Sequence, residues 1–278
     1  MSASRLQTTF ARLAAEDRAA FVTYVMAGDP GPEDSFDILT QLAQHADIIE
    51  LGMPFSDPMA EGPAIQKAAQ RSLKVGTKMR DVLGMVRRFR AMNADTPIVL
   101  MGYLTPVESH GYDAFAADAA AAGVDGLIIV DCPPEEAWEL AGALSAHQLS
   151  LIRLATPTTD DARLKVVAED TSGFVYYVSV AGVTGVKEAD AAAVAPSVER
   201  IRAATGLPVA VGFGIKTPKR AAEVARVADA VVVGSALVEE IDRALAENRP
   251  VVPAVISMAA DLKSAVRAAR LARAEKER

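Results

Sequence analysis

Residues 21–52 read FVTYVMAGDPGPEDSFDILTQLAQHADIIELG, an apolar run, a stretch of helical period and a second apolar run in one unbroken unit. The runs FVTYVMAG from Phe21 and ADIIELG from Ala46 are too continuously apolar for half-exposed strands and predict buried ones. Between them EDSFDILTQLAQ from Glu33 repeats its apolar residues at helical spacing. Six further runs continue the pattern: PIVLMGY from Pro97, GLIIVDC from Gly126, LSLIRLAT from Leu149, GFVYYVSV from Gly173, PVAVGFG from Pro208 and ADAVVVGS from Ala228. Helical stretches separate them, among them DAFAADAAAA from Asp113, PEEAWELAGALSA from Pro134 and TPKRAAEVARVA from Thr217. Strand and helix alternating from end to end imply a parallel sheet with right-handed crossovers, and eight such units suit closure better than an open sheet. The expected fold is therefore α/β, a single (β/α)8 TIM barrel spanning residues 1–278. No Ser/Gly/Pro-rich linker divides the chain. Extra helices at the N-terminus, after the second strand and at the C-terminus read as decorations on the barrel.

A length of 278 residues with 51% hydrophobic composition is ample for a large core, and it falls in the usual range for such barrels. The net charge of -7 and a pI near 5.1 argue against a nucleic-acid footprint, which needs a basic face. The single cysteine, Cys132, permits no internal disulfide. His45, His110 and His147 have no metal-like spacing, and no metal is expected. MSASRLQTTFARLAAEDR at the N-terminus predicts a short amphipathic helix rather than a signal peptide, and no segment approaches a membrane span. A cytoplasmic location is the default expectation. The tail from Asp261, DLKSAVRAARLARAEKER, gathers Lys263, Arg267, Arg270, Arg273 and Lys276 on a helix. A solvated face that complements the helix dipole explains it better than an anionic partner, and no function is assigned to it.

In such barrels chemistry is built from the loops that follow the strands. Period-two alternation in ADIIELG puts Ile48 and Glu50 on one face, so Glu50 is expected inside the barrel. A carboxyl group among apolar neighbours holds its proton to higher pH and suits acid-base work near neutrality. A buried Glu50 paired with an arginine, such as Arg153 on the fifth strand, is an equally open reading. The loop LGMPFSDPMAEGP, stiffened by Pro54, Pro58 and Pro63, returns a second acid, Glu61. Glu61 is either a second site carboxylate or an ordinary residue at a helix start. Glycines at three successive strand ends suggest a phosphate cradle: Gly182 and Gly185 with the intervening Thr184, then Gly212 and Gly214 around Phe213, then Gly234 with Ser235.

Taken together, ELGMPFSDPMAEGP (residues 50–63), SVAGVTG (179–185), GFGI (212–215) and GSAL (234–237) closely resemble the tryptophan synthase α subunit family, over nearly the whole chain. MGY at Met101 and VDCPPEE at Val130 fit it as well. The resemblance implies retro-aldol cleavage of indole-3-glycerol phosphate to indole and glyceraldehyde 3-phosphate, with neither metal nor organic cofactor. It implies Glu50 as the acid-base residue and Glu61 as the carboxylate that receives the indole N–H. By the same resemblance Tyr176, Tyr24, Thr184 and Phe213 line the substrate, although core packing accounts for the aromatic residues equally well. Gly185, Gly212, Gly214, Gly234 and Ser235 are its expected phosphate contacts. A Schiff-base aldolase would need a lysine on a strand, and none of the eight runs contains one; Lys187 lies beyond the sixth, in a loop expected to close over substrate.

The chain departs from the family at several points. Most members carry Asp where Glu61 stands, some carry Arg at Val180, and Leu104-Thr105-Pro106 replaces a segment with Asn before Pro. The resemblance also implies a pyridoxal-phosphate β subunit as partner in an α2β2 complex, docked around 54–57, 103–106 and 131–134. Cys132 falls in that face and reads as an inert small residue; Trp138 reads as packing on an outer helix. Two rivals stand beside this reading: another phosphosugar barrel enzyme, which leaves the Glu50–Glu61 segment unexplained, and a binding subunit that has lost catalysis.

Overall fold

The computed structural model describes residues 4–179, 191–212 and 214–274, without the side chains of 191, 192 and 271–274. Thr184, Gly185 and Phe213, with Val180, Gly182 and Lys187, lie outside the described residues. The chain runs α1 (Arg5–Ala15), β1 (Ala20–Met26), α2 (Pro32–Leu42), β2 (Ile48–Gly52), α3 (Pro63–Lys74), α4 (Met79–Arg90), β3 (Ile98–Gly102), α5 (Leu104–His110), α6 (Tyr112–Ala122) and β4 (Gly126–Ile129). After a 3-10 turn at Pro134–Glu136 come α7 (Trp138–Ala146), β5 (Ser150–Ala155), α8 (Asp161–Glu169), β6 (Val175–Val178), α9 (Ala191–Thr205), β7 (Val209–Gly212), α10 (Pro218–Ala225), β8 (Ala230–Val233), α11 (Ser235–Ala246) and α12 (Val251–Ala274). All eight strands pair in parallel with their sequence neighbours, and β8 closes on β1, so the sheet is a closed barrel.

Each strand forms within the run that predicted it, apart from β1, which begins one residue earlier. The ends of the runs leave the ladder because they carry turn residues, as at Gly28, whose φ of 80° suits glycine. Helix starts follow local chemistry. Ser4 caps α1 through its Oγ and the Gln7 N–H at 3.2 Å, Asp160 caps α8 and Thr217 caps α10.

Alternation along the strands separates two cores. Val22, Ile48, Val99, Ile128, Ile152, Phe174, Tyr176, Ala210 and Val232 fill the barrel, while Phe21, Ile49, Leu100, Leu127 and Val231 pack outward under the helices. The N-terminal helix is not a mere decoration. Its Leu6, Phe10 and Leu13 pack with the interior cluster and plug the N-terminal end, with the Phe10 and Phe174 rings 5.8 Å apart. Helix α12 likewise packs against α10, α11 and α2, burying Val255, Ala259, Leu262 and Val266. Two of its basic residues have local work: Lys263 donates to the Gln44 carbonyl, and Arg270 to those of Ala225 and Ala228. One helix escapes the sequence pattern, the seven-residue α5 after β3. Trp138 departs from expectation, since it is 70% exposed on the first turn of α7 rather than packed.

Candidate active site

Glu50 sits in the middle of β2, level with Tyr24 on β1 and Val99 on β3, and it is wholly buried. Neither carboxyl oxygen finds a hydrogen-bond partner among the described residues. The alternative pairing with Arg153 does not form. Arg153 alternates with Ile152 and Leu154, which pack with the interior cluster, so it points out of the barrel and donates to the Cys132 carbonyl at 3.3 Å. An unpartnered carboxylate in such a place is poorly solvated, and burial, with the charge of Glu61 adding to it, pushes the Glu50 pKa up to about 8.

Glu61 is half-buried in the loop between β2 and α3, where burial lifts its pKa to about 7. The loop is held by its backbone. The Ala60 N–H donates to the Tyr103 hydroxyl at 2.8 Å, the Gln66 amide donates to the Glu61 carbonyl at 2.9 Å, and Phe55 stacks on Tyr103 with ring centroids 5.2 Å apart. Tyr103 and Gln66 escaped the sequence reading as parts of the site. The short spacing from Glu61 to Gln66 is a weak signal for the second, but nothing local points to Tyr103, whose partner lies 43 residues away.

Tyr24 and Tyr176 are both buried inside the barrel. Burial raises both phenols well above their ordinary value, and the charges of Glu50 and Glu61 push the same way at both, so two protonated tyrosines share the chamber with the two carboxyl groups. Each tyrosine has room because of a glycine. A Cβ on Gly52 would overlap the Tyr24 hydroxyl, and one on Gly212 would overlap that of Tyr176. Gly212 thus has a packing reason that the phosphate reading did not foresee. Gly234 forms the N-cap of α11 and Ser235 its first residue, so the 12-residue helix starts at the end of β8 with no side-chain cap on its first turn. Gly214 is exposed with φ 74° just beyond β7. Among the described residues no group of three or more His, Cys, Asp or Glu is placed to hold a metal ion.

A closed parallel barrel that buries a high-pKa carboxyl group beside a second acid, with a helix start two strand-ends away, defines an acid-base barrel enzyme of the kind that acts on anionic small molecules. Comparison with known proteins narrows the class. The family model for the tryptophan synthase alpha chain matches residues 10–267. The tryptophan synthase alpha chain of Phenylobacterium zucineum (strain HLK1) is 66% identical over 271 residues, covering 97% of this chain and 98% of that one. That of Caulobacter sp. (strain K31) is 63% identical over 272 residues, covering 98% and 99%. The crystal structure of the α subunit from Legionella pneumophila str. Paris superposes with a TM-score of 0.89 at 41% identity, covering 95% of this chain and 99% of that one. The aminoacrylate-bound tryptophan synthase of M. tuberculosis gives 0.84 at 36% identity, covering 95% and 100%. The chain belongs to the tryptophan synthase alpha chain family.

Proposed function

We infer that this chain is the lyase that cleaves indole-3-glycerol phosphate into indole and glyceraldehyde 3-phosphate, the α reaction of L-tryptophan biosynthesis, with Glu50 as its acid and base. The observation that carries the residue assignment is Glu50 itself, a carboxyl group without a partner among the described residues, held protonated to about pH 8 inside the barrel. Breaking the bond between indole C3 and the side chain requires a proton on C3, so that the ring accepts the bonding pair as it leaves. Glu50 in its acid form supplies that proton. The resulting carboxylate takes the proton from the adjacent side-chain hydroxyl as the aldehyde forms, which returns Glu50 to its starting state. Glu61, the more acidic of the two, accepts the indole N–H and stabilises the positive charge on the protonated ring. Tyr24 and Tyr176 wall the indole, with Phe213 and Thr184 assigned to the same pocket by family. The phosphate is assigned to Gly185, Gly212, Gly214, Gly234 and Ser235, where the N-terminus of α11 favours an anion.

The family also supplies a partner, the β subunit that consumes indole in an α2β2 heterotetramer. Leu104 and Asp131, which the resemblance places on the docking face, are joined by a 2.8 Å hydrogen bond from the Leu104 N–H to the Asp131 carboxylate. Among the described residues no helix is long and apolar enough to cross a membrane, in keeping with work in the cytoplasm.

The test is indole release from indole-3-glycerol phosphate by the purified chain, alone and with its β subunit, for wild type and Glu50→Gln. Release should rise with the partner and fall by about 10²–10⁴-fold in the variant, the usual worth of a positioned acid-base group. No release from the wild-type protein with its partner bound would leave a binding subunit without catalysis.

A further inference from the structure

A cavity of about 320 Å³ opens between the segment after β4, strand β5 and helix α8, lined by Cys132, Pro134, Arg153, Leu154, Thr159 and Arg163 among others. Its one deeply buried charge is Arg153, 5% exposed. The Nη1 of that guanidinium donates to the Cys132 carbonyl, but Nε and Nη2 have no partner among the described residues. Those two nitrogens form the side edge of the guanidinium, the fork whose parallel N–H groups match the two oxygens of a carboxylate. Elsewhere this chain uses that same edge in that way. Arg71 places Nε and Nη2 on the two oxygens of Asp29 at 2.6 and 2.9 Å, and Arg202 places them on the two oxygens of Asp229, both at 3.1 Å.

Neither of the acids near the cavity reaches the fork. Asp131 accepts the Leu104 N–H, and Glu135 is taken by both terminal nitrogens of Arg163. Burial pulls the Arg153 pKa below its usual range, the direction expected of a cation with too few partners. Leaving a buried guanidinium edge unfilled is costly, since its desolvated donors have lost water and gained nothing in exchange.

We propose that this cavity is a binding site for a small monocarboxylate, received on the Nε–Nη2 edge of Arg153 with its short apolar tail against Val167 and Pro134. A single uncommitted cation suits a monoanion, and a planar two-oxygen group fits the fork better than a tetrahedral dianion. Arg153 lies on the opposite face of β5 from the interior cluster, and neither Glu50 nor Glu61 lines the cavity, so the fork is distinct from the Glu50–Glu61 chamber.

Butyrate is the probe, titrated into the isotopically labelled wild-type chain at constant ionic strength against chloride, with the Arg153 Nε–H and the backbone amides of Cys132 and Arg163 followed by NMR. The expected result is a saturable shift at all three with a dissociation constant in the millimolar range, about what one charge-assisted bidentate contact supports. Arg153→Gln should lose the response, and Arg153→Lys, which keeps the charge but not the fork, should weaken it by about tenfold or more. The wild-type signals decide the matter even where a variant fails to fold. Signals that stay still with butyrate, that move equally with chloride, or that move only when the β subunit is added would overturn the proposal.

Discussion

A carboxyl group without partners inside a barrel has two measurable consequences, one for rate and one for stability. For rate, the reaction needs Glu50 protonated and Glu61 ionised, and their pKa values of about 8 and about 7 leave a narrow window. A plot of kcat/KM against pH should be a bell with limbs near those values, and a profile flat from about pH 6 to 9 would contradict the assignment. For stability, the folded pKa of Glu50 lies above the 4.5 of an ordinary glutamate, so above about pH 4.5 the unfolded chain releases a proton that the folded chain keeps. Stability from this group is complete below the unfolded value and is lost as pH rises to about 8. Denaturant unfolding should accordingly show Glu50→Gln gaining on wild type across that window, by on the order of 5 kcal/mol. Equal pH dependence in the two proteins would mean that Glu50 ionises freely. The inward direction of Glu50 was readable from alternation in ADIIELG. Whether it met Arg153 was not, because that depended on which face of β5 the arginine takes.

At the scale of the elements, the N-terminal ends of the strands are stapled by three aspartates that each precede a strand. Asp47, before β2, receives Arg18 and the Phe21 N–H of β1. Asp125, before β4, receives Arg5, Arg90 and the Ile98 N–H of β3, and Asp229, before β8, receives Arg202 and the Val209 N–H of β7. Each acid thus ties its own strand to the preceding one and to an arginine, brought in by a helix at Asp125 and Asp229 and by the segment between α1 and β1 at Asp47. Asp125 and Arg90 are mostly buried, with side chains 4% and 10% exposed, so Asp125→Ala strands a cation. Chemical denaturation should show a loss of about 3–5 kcal/mol, while indole release per folded molecule stays within about twofold, because the staple lies at the end opposite the catalytic loops. The staples escaped the sequence reading although their residues stand in plain view. An aspartate before an apolar run looks like any loop acid until the neighbouring strand presents an N–H to it.

For the whole molecule, closure of the barrel creates an open bottom that a sheet of eight short strands cannot fill by itself, and α1 fills it. Phe10, 8% exposed against Phe174, is the largest of the plugging side chains. Phe10→Ala should lower unfolding stability by about 3–5 kcal/mol, and a loss under about 1 kcal/mol would show α1 to be a dispensable ornament. What the sequence determined by itself was local and periodic. The eight apolar runs, the helices between them and the inward face of β2 follow from spacing of side chains a few residues apart, and the segment from Glu50 to Pro63 carried the family with it. What only the tertiary structure decided were meetings between distant residues: Tyr24 beside Glu50, Tyr103 beneath the Glu61 loop, the aspartate staples, the exposure of Trp138 and the unfilled edge of Arg153. Period and propensity act over a single turn or pleat, whereas a partner across the barrel is chosen by closure geometry, which no short stretch of chain encodes.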